Sequence, residues 1–156
     1  MKKVRGFEVV REDMQKFPDV ATILPVRKTQ QAMACDFYSK EDYTIQPGES
    51  HHFMTDVKAY MQPNECLIIN VRSSIGFKKG LRLVNTQGWI DADYYENPDN
   101  DGNIGICLKN DTDVPVVIEK DERIAQGAFL SYLVPDGDDE VVKETRTGGI
   151  GSTGTK

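Results

Sequence analysis

The chain has 156 residues, 38% of them hydrophobic and 28% charged, which is enough for one domain with a buried core. Its formal charge of −6 argues against non-specific binding to nucleic acid or to anionic membranes. The three cysteines, Cys35, Cys66 and Cys107, lack pair spacing, which excludes a disulfide frame or zinc site and fits a reducing compartment.

The start, "MKKVRGFEVV", has two lysines but no long apolar stretch after them, so it is not a signal peptide. No stretch approaches the ~20 apolar residues of a membrane span. The expectation is a soluble cytoplasmic protein. "FEVVRE" alternates as a strand, and "EDMQKF" suits a turn or two of helix. "YTIQPG" is followed by "HHFMTDVKAYM", where Phe53, Thr55, Val57 and Ala59 alternate with Met54, Asp56 and Lys58. His51 and His52 are adjacent, poor spacing for sharing a metal, and read as surface strand residues. "ECLIINV" is a continuous apolar run of strand length, with a second short helical turn possible after "VRSS".

"LRLVNTQGWIDADYY" reads as a hairpin turning at "NTQG". Asp91 and Asp93 on its second strand are expected on opposite faces and out of one pocket. "NIGICLKN" and "VPVVIEKDERIAQGAFLSYLV" supply further strands, the latter broken at "EKDE". Strand-type residues between turn clusters at roughly 8–12-residue spacing predict an all-β sandwich or barrel. After Val134 the polar, acidic "PDGDDE" leads into glycine-rich "TRTGGIGSTGTK". The division is a β body over residues 1–135 and a mobile arm over residues 136–156.

The arm's "GIGSTGTK" misses the P-loop pattern by one residue, and no helix can follow to present amides to a phosphate. Its chemistry still suits an anion. Glycines let backbone N–H groups converge, Ser152 and Thr153 add hydroxyls, and Arg146 adds a planar cation.

Five stretches occur in order: "ACDFYS" (34–39), "VRSSIG" (71–76), "GWIDADYY" (88–95), "DERIAQ" (121–126) and "RTGGIGSTG" (146–154). Together they resemble the five ordered motifs of the trimeric dUTPases, the phage and Gram-positive bacterial types among them, which convert dUTP to dUMP. The resemblance spans residues 32–154. It implies a distorted jelly-roll β-barrel with a flexible C-terminal arm, assembled as a homotrimer whose active sites are shared between chains.

Roles follow by resemblance. Asp91 would hold and activate the attacking water, and Tyr94 would pack on the deoxyribose so that a 2′-hydroxyl has no room. Asn85 would read the uracil edge. Arg72, Ser73, Ser74 and Gln126 would meet the phosphates, while Arg123 is expected to be structural. Asp36 would act on Mg²⁺ through water, with no all-protein cage because magnesium keeps waters and prefers phosphate oxygens. In the arm, Arg146 would hold the phosphates, with Gly151, Ser152 and Thr153 near the γ-phosphate. Ile150 stands where the family usually places a phenylalanine over the uracil, which implies a weaker lid. The "ENPDND" segment is an extra acidic loop, expected at the site mouth and open to a regulatory protein partner.

Two other functions remain in view. A dCTP deaminase of this architecture needs a glutamate in the strand after the hairpin, where "GICLKN" places Cys107. A non-catalytic, dUTP-sensing regulatory barrel would keep the arm but has no need of Asp91.

Overall fold

The computed structural model describes residues 2–155; Met1 and Lys156, the outer ends of the expected body and arm, lie outside the described residues. In chain order the strands are β1 (Gly6–Val9), β2 (Cys35–Tyr38), β3 (Tyr43–Ile45), β4 (Ser50–Met54), β5 (Val57–Tyr60), β6 (Glu65–Val71), β7 (Leu81–Leu83), β8 (Gly88–Asp91), β9 (Gly105–Asn110), β10 (Val116–Ile118) and β11 (Arg123–Ser131). They pair antiparallel as β2-β11-β6-β8, β4-β9-β7 and the ribbons β1-β5 and β3-β10, a distorted jelly-roll barrel.

β6 is continuously apolar because it is paired on both edges, by β11 and β8, and its Leu67 and Ile69 enter the core. β9 keeps strict alternation, with Ile106, Leu108 and Asn110 buried. The buried Asn110 is satisfied, its amide donating to the carbonyls of Ile45 and Val114. Short helical turns form at Glu12–Met14 and, as a π turn, at Ser74–Lys78, both where the sequence allows them.

Two sequence expectations need correction. The alternation through residues 51–61 does not make one strand, because the chain breaks between β4 and β5 at Asp56, whose φ is +55°. Aspartate tolerates this left-handed conformation better than most residues. The side chain turns inward, where it accepts hydrogen bonds from Lys40 Nζ (2.7 Å), the amides of Lys16 (2.7 Å) and Phe17 (3.0 Å), and Asn103 Nδ2 (2.8 Å). The second correction concerns the "NTQG" hairpin. The turn forms, but β7 pairs with β9 and β8 with β6, so its two arms part into different sheets. That divergence opens the cavity described next.

His51 is also not a plain surface residue. Its ring stacks on Tyr43 at 3.5 Å between centroids, and Nε2 lies 2.9 Å from Glu41.

Candidate active site

Between the diverging β7–β8 turn and β9 lies a cavity of about 710 Å³. Asn85 and Trp89 line it from the turn and β8, Cys107 and His52 from β9 and β4, and Asp91 and Tyr94 from the end of β8. Arg146, Gly149 and Ile150 of the arm complete the wall. Asn85, Asp91, Tyr94, Arg146 and Ile150 are therefore brought together at one cavity. Burial raises the Cys107 thiol above its ordinary pKa, so it is a neutral wall group, and no glutamate lines the cavity.

Asp91 and Asp93 lie together and not on opposite faces as expected: residues two apart in a strand share a face, so the expectation misapplied the strand period. β8 ends at Asp91, and the 3₁₀ turn Ala92–Tyr94 carries the second carboxylate. One guanidinium then spans both: Arg146 Nη2 is 2.5 Å from Asp91 Oδ2, and Nε is 2.7 Å from Asp93 Oδ1. The arm is seated further along the extra loop. The Asp99 amide donates to the Thr147 carbonyl (3.2 Å), and Gly148 lies where a Cβ would meet Asp99 Oδ2 at 1.8 Å. Gly149 faces the Tyr94 ring, and Ser152 Oγ closes the turn by donating to the Gly148 carbonyl (2.9 Å). Gly151 and Thr153 are exposed, as is Ile150.

Tyr94 is fixed at both poles of its hydroxyl. It donates to the Asn103 carbonyl (2.9 Å) and accepts from Asn100 Nδ2 (2.7 Å). Burial raises its phenol pKa, while the Asn100 hydrogen bond and the Arg146 charge pull the other way. Two of the acidic loop's three carboxylates share one lysine from below. Lys58 Nζ reaches Asp101 (2.9 Å) and Glu96 (3.1 Å).

The other predicted residues lie elsewhere on the protomer. Arg72 and Ser74 line a shallow polar cavity of about 600 Å³ with Lys28, Tyr38 and Arg123, and Ser73 is exposed beside it. Asp36, paired in register with Gln126, takes Arg72 Nε on one oxygen (3.1 Å) and Arg123 Nη1 on the other (3.0 Å). Arg123 thus bridges β11 and β2, a structural role as expected, though its edge faces the cavity. A carboxylate oxygen that accepts one N–H keeps a lone pair for water. Among the described residues no group of three His, Cys, Asp or Glu could hold a metal ion. Also among the described residues, no helix is long and apolar enough to cross a membrane.

Sequence reasoning missed Asp93 as an arm partner, and Asn100, Asn103 and Asp99 as parts of the site. The acidic run "ENPDND" signals a loop, but nothing in it signals that one asparagine points back at Tyr94.

Comparison with known proteins gives a consistent answer. The family profile described as dUTPase matches residues 21–154. The deoxyuridine 5′-triphosphate nucleotidohydrolase of Lactococcus lactis is 47% identical over 152 residues, covering 97% of this chain and 99% of the relative. The crystal structure of dUTPase from Streptococcus mutans superposes with a TM-score of 0.75 at 42% identity, over 85% of this chain and 99% of that one. The dUTPase of phage phi11 of S. aureus shares the fold at 19% identity and a TM-score of 0.67, over 86% of this chain and 94% of that one. That mutant structure is described as revealing the coordination of a structural Mg(II) ion.

Proposed function

The chain belongs to the dUTPase family and hydrolyses dUTP to dUMP, and we propose that Asp91 orients and deprotonates the water that attacks the α-phosphorus. The observation that carries this reading is the single Arg146 guanidinium bridging Asp91 and Asp93 at the mouth of the cavity. The guanidinium suits phosphate at least as well as carboxylate. A bound triphosphate competes for Arg146, and its withdrawal releases Asp91 to accept a proton from water. The arm, residues 136–156, thereby couples closure over the substrate to exposure of the base.

A carboxylate is a modest base, so positioning and charge neutralisation supply most of the acceleration. In this reading the uracil enters the cavity beside Asn85, the sugar packs on Tyr94, and Ile150 covers the base. Arg72, Ser73, Ser74 and Gln126 serve the phosphates, with Gly151, Ser152 and Thr153 of the arm near the γ-phosphate. Mg²⁺ would be held by phosphate oxygens and, through water, by Asp36, and it would supply neutralisation of the triphosphate's charge.

Within one protomer Arg72 and Ser74 line a different cavity from the base pocket. That separation supports a homotrimer in which neighbouring chains complete each site. The three free cysteines support a reducing, cytoplasmic setting.

Hydrolysis in ¹⁸O-labelled water tests the position of attack. Label recovered in dUMP supports attack at the α-phosphorus; label recovered only in pyrophosphate sinks it.

A further inference from the structure

The segment after Tyr94 carries more hydrogen bonding than a surface loop needs. Asn97 is only 4% exposed. Its Nδ2 donates to the Tyr94 carbonyl (2.8 Å) and to Asn100 Oδ1 (2.8 Å), while its Oδ1 accepts the amides of Asp99 (3.1 Å) and Asn100 (3.2 Å). Asn100 Oδ1 also accepts the Gly102 amide (3.0 Å). Two of these bonds fix the orientation of the Asn100 side-chain amide, because its oxygen is held by two N–H donors. Its Nδ2 is therefore aimed, and what it meets is the Tyr94 hydroxyl at 2.7 Å.

The backbone is bent to allow it. Glu96 and Asp101 adopt φ of +56° and +57°, and Gly102 adopts +84°, where a Cβ would lie 2.8 Å from the Tyr94 carbonyl. Strain of this kind persists only where surrounding contacts over-determine it. Here they include Lys58 against Asp101, and the Arg11 amide, which donates to the same carboxylate at 2.8 Å.

We propose that Asn100 is a specificity-determining positioning residue, which clamps the Tyr94 ring as a rigid cavity wall and so enforces discrimination between deoxyribose and ribose. This rests on the proposed packing of Tyr94 against the sugar. A phenol held only by the Asn103 carbonyl can pivot about that one bond. A phenol held as donor and acceptor cannot. Rejection of one hydroxyl by steric exclusion requires a wall that does not yield, since a pocket that relaxes admits the larger ligand at modest cost. The loop supplies that stiffness from the cavity wall itself, where Asn100 and Asn103 stand beside Tyr94.

The test uses the full-length chain and two variants, Asn100→Leu and Asn100→Asp. The second keeps the shape and the acceptor for Asn97 and Gly102 but removes the donor to the phenol. kcat and KM are measured for dUTP and UTP with Mg²⁺, and melting temperatures are recorded alongside. The expected result is a fall of about tenfold in the dUTP-to-UTP ratio of kcat/KM, arising from gained UTP turnover. For Asn100→Asp it should occur with little change in melting temperature. A ratio within twofold of wild type, in a variant that melts normally and turns over dUTP, overturns the clamp and leaves the proposed site intact. A wild-type chain that hydrolyses UTP as readily as dUTP overturns both the clamp and the sugar-packing role of Tyr94.

Discussion

Replacing Asp56 with alanine should be among the most damaging single changes in the body. Its carboxylate is fully buried, and its partner Lys40 has a side chain only 4% exposed. Removing one partner of a buried ion pair typically costs about 3–5 kcal/mol, because the other charge is stranded. Lys40 would keep the Phe17 carbonyl (3.1 Å) and Thr22 Oγ1 (2.8 Å), which favours the lower end. Against that, alanine must hold a left-handed φ of +55°, for about 1 kcal/mol more. The two together place the loss at about 4 kcal/mol, a large share of the 5–15 kcal/mol typical of a domain. Urea unfolding followed by circular dichroism, at fixed protomer concentration, measures it. A double-mutant cycle with Lys40→Met should give a coupling of about 1–3 kcal/mol. A loss below about 1 kcal/mol, or no coupling, would refute the network as a stabilising element.

Three further outcomes are expected. Ile150→Phe should restore ring stacking over the base, worth about 0.5–1.5 kcal/mol, and lower the KM for dUTP by roughly 2–10-fold in steady-state assays. Arg146→Gln should lower kcat/KM for dUTP by about 10–100-fold through loss of a charge-assisted contact, with thermal stability little changed because the arm lies outside the core. The pH profile of stability should form a plateau. Burial opposes the charges of Asp56 and Asp101, yet hydrogen bonds from Lys40 and from the Arg11 amide and Lys58 hold both below the ordinary 3.8. Their stabilisation is full above 3.8 and lost as pH falls through the folded values. Lys58, raised above 10.5 by Asp101 and Glu96 despite burial, contributes fully below 10.5 and is lost as pH rises through its folded value. Urea titrations across both limbs measure this.

Much of the fold was legible because each sheet writes its own pattern. β6 reads as an unbroken apolar run and β9 as clean alternation, each as its neighbours dictate. The break at Asp56 was hidden because a buried, charged residue mimics the polar phase of an alternating strand. The parting of β7 from β8 depends on which edges β9 and β6 offer, a long-range choice that no local spacing records. Asp91, Tyr94 and the arm, which line one cavity, were singled out through the order of five short motifs rather than through periodicity, and Asn85 by its place before the hairpin turn. Asp93 was misplaced because the period of two was misapplied, residues two apart in a strand sharing one face, and because β8 ends at Asp91, before the 3₁₀ turn that holds Asp93. Asn100 left no local trace; its role exists only because Asn97 and Gly102 turn its amide toward Tyr94.

The most direct test of the account is hydrolysis of dUTP, dCTP, dTTP and UTP with Mg²⁺ by the wild-type chain and by Asp91→Asn. The account predicts dUMP and pyrophosphate from dUTP alone, with turnover abolished in the variant while dUTP binding persists. Full activity in Asp91→Asn would contradict the assignment of the base and the gating contact built on Arg146.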